Sequence, residues 1–356
     1  MNMDSNRILT LILITIIGFW LLTTLSNLLI PLVLALFLVM VLQPILAFLN
    51  RKKLPNWLSV TIVSIITLIV LFSFITIISS TASQVADQGK VFVTRFSMKL
   101  NMALEWINNL VGSKLNLGYL ENLISENLTS EWITKSLGSI AKSLGSFVGS
   151  FLLFAFYFII LLAGFNNYEK YILYVGGKRR GKAFLKTFET VMHSISTYMG
   201  VKFLVSLFTG VLYWLICHLF GIEFALFWGF LAFALNFIPS IGSIIATIPP
   251  ILMALIYLDS GIGILVFSAL LVTVQMLVGN LLDPYMLGNR LKLNILVVML
   301  GLLFWGYIWG VVGMLLSVPL LVLMKIILEQ NDETSMFARA MESAKSSKEN
   351  AAKEAG

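Results

Sequence analysis

The first fifty residues leave a water-soluble fold almost nothing to put on its surface. Two apolar runs, residues 8–28 and 32–49, follow one another with only Ser26, Asn27 and Pro31 between them. A helix rising ~1.5 Å per residue needs about 20 residues to cross a hydrocarbon core of ~30 Å, so each run has the length of a span. Inside lipid, backbone N–H and C=O groups must be satisfied within a helix or a closed barrel. The sequence lacks the alternating strands of about ten residues that a barrel needs, which leaves helices. With 59% hydrophobic and 12% charged residues and a mean hydropathy of +0.95, the remainder of the chain makes the same demand. The expected fold class is all-α, a polytopic helical membrane protein.

Several functions are excluded on the same grounds. Cys217 is the single cysteine, so neither an internal disulfide nor a thiolate metal cluster is expected, and His193 and His218 stand alone. The net charge of +7 sits mainly in short loops between apolar runs, where it sets membrane orientation; nucleic-acid binding is not expected. No Walker A sequence, other phosphate loop or His-Glu-x-x-His motif occurs. ATP-driven transport and zinc-protease chemistry therefore fall away, and the chain reads as a non-enzyme without a cofactor. The run at 8–29 is too long for a signal h-region and Pro31 leads into another span, so it is expected to be retained. Neither end carries a lipidation motif.

The two opening runs are expected to form a tight antiparallel hairpin that ends at "NRKKLPNW" (50–57). Its three cations mark a cytoplasmic loop and place the N-terminus on the same side. A third span over 57–79 leads outward into 81–145, the one long stretch without membrane character, where six cations nearly cancel five anions. Val85, Phe92, Phe96, Leu100, Leu104, Ile107 and Val111 recur at helical spacing, which predicts an amphipathic helix. A second helical piece follows over 120–137. The segment packs on its own neighbours or another subunit in one reading, and forms a ligand-binding ectodomain in the other. A fourth span, 146–165, returns to the side of Lys170, Lys178, Arg179, Arg180, Lys182 and Lys186, in agreement by parity with the first basic cluster. The expected divisions are a three-helix membrane part (1–80), the amphipathic insertion (81–145), a second membrane part (146–328) and a mobile cytoplasmic tail (329–356).

Within 189–220, Ser194, Tyr198, Lys202, Ser206, Thr209 and Tyr213 recur every three or four residues and share one helical face. Lipid cannot satisfy such a face, so it should point into the bundle or a watery route. Lys202 lies about one turn inside the apolar run. It is either a snorkelling anchor or a member of that route.

The chain then interrupts itself. Residues 222–238 and 241–258 are each apolar but short, and "NFIPSIGSIIATIPP" (236–250) lies across their join. Pro239 removes a backbone donor and frees carbonyls near Leu235 and Asn236. Asn236, Ser240, Gly242 and Ser243 either repair the break and allow close packing, or shape a solute or ion site from unwound backbone. "LFWGF" (226–230) precedes this break, and a similar opening starts "LFWGYIWGVVGMLLSVPL" (303–320). The spacing from Gly242 to Pro249 matches that from Gly313 to Pro319 within one residue, which predicts a second broken hairpin over 295–328. Between them "GNLLDPYMLGNRLKLN" (279–294) ends another span. Asn280 and Asp283 either face a pathway together or cap the helix, with Asp283 expected near the surface.

Three stretches carry a resemblance to a known family. "FWGFLAFALNFIPSIGSIIATIPP", "GNLLDPYMLGNRL" and "LGLLFWGYIWGVVGMLLSVPLLVLMKIILEQ" look like the signature regions of the autoinducer-2 exporter family of bacterial inner-membrane permeases. "LIPLVLALFLVMVLQPIL" (29–46) and "KLPNWL" (53–58) extend the likeness. The motif positions fall on Asn236, Pro239, Gly242, Pro249, Pro250, Asn280, Pro284, Gly288, Trp305, Gly306, Gly313 and Pro319. Asp283 stands where many relatives carry Glu. The resemblance implies export of a small polar signal of the autoinducer-2 class in the inner membrane, both termini cytoplasmic, and some homo-oligomer. Other members are sodium or lithium/proton antiporters, which makes cation exchange the alternative, with an oligomeric scaffold as a third class. Neutral donors on Asn236, Ser240, Ser243, Thr247 and Asn280 suit a polyhydroxylated solute; Asp283 beside unwound carbonyls suits a cation.

Overall fold

The computed structural model describes residues 5–87, 94–95, 98–99, 102, 150–165, 168–287, 293–330 and 332–342. Among them the ordered elements are helices: α1 (Ser5–Thr24), α2 (Ser26–Arg51), α3 (Asn56–Asp87), α4 (Ser150–Gly164), α5 (Tyr168–Gly176), α6 (Lys182–Leu219), α7 (Ala225–Leu235), α8 (Ile241–Tyr257), α9 (Gly261–Leu277), α10 (Asp283–Leu287), α11 (Ile295–Glu329) and α12 (Asp332–Ala340). π-Helical turns at Gly177–Gly181 and Val278–Leu282 precede α6 and α10. The helical piece expected at 120–137 lies outside the described residues.

Among the described residues, five helical stretches are each long and apolar enough to cross a membrane: Ser26–Arg51, Asn56–Thr81, Arg179–Leu219, Gly261–Leu282 and Ile295–Glu329. The last is not one straight span. Gly310 sits inside α11 at φ 61 and ψ −144, a conformation that only glycine adopts without strain. A Cβ on Gly301 would strike the side chain of Leu321, and one on Gly306 that of Met314. These pairings centre on Gly310, so α11 folds back on itself as a helical hairpin. The second predicted break is present, and its turn is at Gly310. α4 and α5 form a further broken pair, bent by 78°.

The chain divides into two compact units. One comprises Met1–Leu68, Gly149–Leu204 and Asp283–Gly356, and is built around Leu46, Phe158, Leu162, Ile195 and Leu302. The other comprises Ile69–Val148 and Val205–Leu282, with Tyr213, Phe267, Leu271 and Val278 fully enclosed. Helix faces turned away from these cores carry Ile65, Ile69, Leu152, Phe156, Leu265 and Tyr307 exposed. Bare apolar rows on long helices are the surface a bilayer covers.

Two expectations change and a third is narrowed. The opening runs do not reverse: α2 begins one residue after α1, the Leu25 N–H donates to Leu21 O, and Leu25 O accepts from Leu28 and Leu29. Pro31 falls inside α2, where it deletes one hydrogen bond without turning the chain. The tail to residue 342 is also held. α12 packs on α11, Ala338 and Met341 are buried, Met341 O accepts from Asn294 N at 2.8 Å, and Leu293 bridges Glu342. Residues 343–356 lie outside the described residues. Finally, the polar insertion touches the membrane part: in the second unit Lys99 pairs with Asp259 at 2.5 Å, and that hydrogen bond holds the exposed carboxyl below the usual carboxylate range.

Candidate functional site

The polar line on α6 faces inward. Ser194 is half-buried, and Tyr198, Lys202, Ser206, Thr209 and Tyr213 are buried. Each unit uses part of it.

In the second unit the line meets the α7–α8 hairpin. α7 stops because Pro239 cannot donate, and Asn236 becomes its C-cap with its N–H on Ala232 O at 3.0 Å. The chain reverses in a tight turn: Ile241 N donates to Pro239 O at 2.6 Å, and Ser240 holds φ 59, uncommon for a side chain with a Cβ. Gly242 closes the turn. A Cβ there would overlap Leu235 O, so only glycine admits this approach. Gly313 occupies the equivalent place in the α11 hairpin, seated against Trp305 O. The repeat read from spacing is thus a repeat of packing.

Asn236 donates from Nδ2 to Ser206 Oγ at 3.0 Å and is 6% exposed. Ser243 Oγ donates to Ser240 O and Thr247 Oγ1 to Ser243 O, both at 2.7 Å, so part of this set repairs the break. Thr247 Oγ1 is also hydrogen-bonded to the Tyr213 hydroxyl at 2.7 Å. Ser240 itself is exposed at the tip. A column of neutral hydrogen-bonding groups therefore joins the hairpin tip to α6.

In the first unit Lys202 meets Asp283, with Nζ 2.7 Å from Oδ2 and side chains 5% and 21% exposed. This lysine is held by a buried carboxylate rather than reaching out as a snorkelling anchor. The π-turn at Val278–Leu282 delivers Asp283 as the first residue of α10, and Pro284 follows in a first helical turn where a missing N–H costs nothing. Asp283 Oδ1 is buried and has no hydrogen-bond partner among the described residues. Burying an ion pair gives little net stability, and an unsatisfied carboxylate oxygen costs more, so stability alone does not account for the arrangement. Asn280, on the π-turn, is exposed and not joined to this pair.

Lys325, which the sequence places only beside the polar tail on the cytoplasmic side, takes part in a buried ion-pair cluster. It is 7% exposed in the returning half of α11, with Glu342 at 3.0 Å and Glu329 at 3.4 Å. Glu329 at i+4 was a visible signal; Glu342, brought in by α12, was not. Among the described residues no group of three or more His, Cys, Asp or Glu gathers to hold a metal. The chemistry available is hydrogen bonding, ion pairing and backbone shaping, which suits binding and passage.

Comparison with known proteins agrees with that chemistry. The AI-2E family transporter model matches residues 9–332. A Haemophilus influenzae protein whose name marks it as a transport protein is 32% identical over 318 residues, covering 88% of this chain and 89% of its own. YhhT of Escherichia coli K12, also named for transport, is 31% identical over 88% of this chain and 87% of its own. The AI-2 transport protein TqsA of the same strain is 32% identical over 305 residues, 86% of each chain. Matched across nearly its whole length, with both broken hairpins inside the matched region, the chain belongs to the AI-2E family of transporters.

Proposed function

We propose that the protein exports a small polar signalling molecule of the autoinducer-2 class across the bacterial inner membrane without ATP hydrolysis. The observation that carries this is the buried column on α6 and the α7–α8 hairpin: Asn236 on Ser206 and Tyr213 on Thr247. Neutral groups enclosed by apolar helices offer a polyhydroxylated solute exchange of hydrogen bonds with little charge to desolvate. A relative named for AI-2 transport supports the choice of solute. The C-terminus is assigned to the cytoplasm, on the side of the basic clusters at 51–53 and 178–186; because α1 and α2 do not reverse, no hairpin places the N-terminus on that side, and a homo-oligomer is part of this reading.

One observation favours a second reading, sodium or lithium exchange for protons. Asp283 Oδ1 is a buried carboxylate oxygen without a hydrogen-bond partner among the described residues, and a hard cation takes such a ligand. Inverted membrane vesicles separate the two. The export reading expects autoinducer-2 to accumulate inside the vesicles and Asn236→Ala to reduce its rate at least tenfold. If Asn236→Ala leaves flux unchanged while Asp283→Asn abolishes sodium-driven proton movement, cation exchange replaces it.

A further inference from the structure

A cleft in the first unit belongs to neither arrangement above. Its volume is about 330 Å³, at the lower end of the range for small-molecule sites. Gln43, Pro44 and Ala47 of α2 form one wall, Tyr168 of α5 the rim, and Glu189, Met192, His193 and Ser196 of α6 the other wall. Pro44 produces it. Lacking an N–H, Pro44 leaves Met40 O without its helical donor. Ser196 Oγ supplies the missing donor at 2.9 Å, which ties α6 to α2 at the inner end and gives the cleft a floor beside buried Met40, Ile195 and Met199.

The remaining polar groups are uncommitted: no hydrogen bond or ion pair among the described residues engages Gln43, Glu189 or His193. Glu189 and His193 are one turn apart on α6 and open toward the same space. The lining holds a carboxylate and no Lys or Arg. Inside the cleft a phosphate ester would meet the Glu189 carboxylate at contact, with Lys186 a turn away and outside the lining, whereas hydroxyls would find an amide, a carboxylate and an imidazole. The cleft lies at the basic-cluster end of α6, and nine residues further along, about 14 Å at ~1.5 Å per residue, is Lys202.

We propose that this cleft is the cytoplasmic intake site for the exported solute and that it selects a small neutral polyhydroxylated molecule over its phosphorylated form. The proposal rests on the export reading and adds a site and a selection rule to it.

The native Cys217 is buried, so one introduced cysteine reports cleanly. His193→Cys, with Ala47→Cys as a second position should the first misfold, is labelled in inverted vesicles with a charged, membrane-impermeant maleimide. Autoinducer-2 is expected to slow labelling at least fivefold, and its phosphate ester to have no such effect. In flux assays Glu189→Ala and Gln43→Ala should raise KM about tenfold with little change in kcat, the signature of lost ground-state contacts. Failure to label from this side, equal protection by the ester, or intact export with no protection and unchanged KM overturns the intake site and leaves the export reading standing. Protection without any export overturns the export reading and keeps the binding site; loss of both overturns both.

Discussion

The side chains that matter most are charges enclosed where lipid-like surroundings make them expensive. Lys202 and Asp283 neutralise each other, so removing one strands the other. Lys202→Met should lower stability by about 3 kcal/mol or more, read as a lower Tm in detergent. The double variant Lys202→Met with Asp283→Leu should regain most of that loss, since an apolar pair of similar volume replaces a buried ion pair at little cost. If the double variant regains stability and keeps full flux, the pair is structural only. Lys325 presents the same physics with a different partner. Glu342→Gln weakens its buried counterion, and the expected outcome is earlier protease cleavage between α11 and α12 at unchanged helix content. The sequence showed that Lys202 lies on an inward face, because its neighbours recur at helical spacing. It did not show Asp283 or Glu342 as partners, since pairings across 81 and 17 residues depend on how helices fold back.

At the scale of elements, the two broken hairpins organise the chain. Their breaks were legible because proline and glycine act locally: Pro239 ends α7 wherever it sits, and glycines mark places where backbones touch. Gly242→Ala and Gly313→Ala should each destabilise strongly, because the added methyl meets a carbonyl of the preceding helix that cannot move aside. Gly200→Ala, with open space around it inside α6, should be neutral or stabilise by up to ~1 kcal/mol. Thermal unfolding of the three variants in detergent checks this ordering, and equal effects would contradict it. The opening helices were read less well. Ser26, Asn27 and Pro31 together predict a reversal, yet a proline removes only one donor, and the bonds across Leu25 keep α1 and α2 nearly continuous. α12 escaped notice because nine residues are too few for periodicity to show, and its apolar anchors Ala338 and Met341 matter only once α11 is in place.

For the molecule as a whole, the polar row on α6 connects what each unit does to a function. A transporter needs a route that lipid does not line and a break where backbone is available, and both are built from the same few residue types. Family membership was legible from the three signature stretches, and the packing of Gly242 and Gly313 gives them a physical meaning: they hold helix pairs closed at unwound tips. The most direct test is flux through the purified protein alone. Reconstituted in proteoliposomes loaded with autoinducer-2, the wild-type chain should release it many times faster than protein-free vesicles. Asn236→Ala, folded to the same Tm within a few degrees, should fall at least tenfold toward that background. Release no faster than protein-free vesicles, or an Asn236→Ala variant indistinguishable from wild type, would contradict the assignment of the α7–α8 hairpin as the solute route.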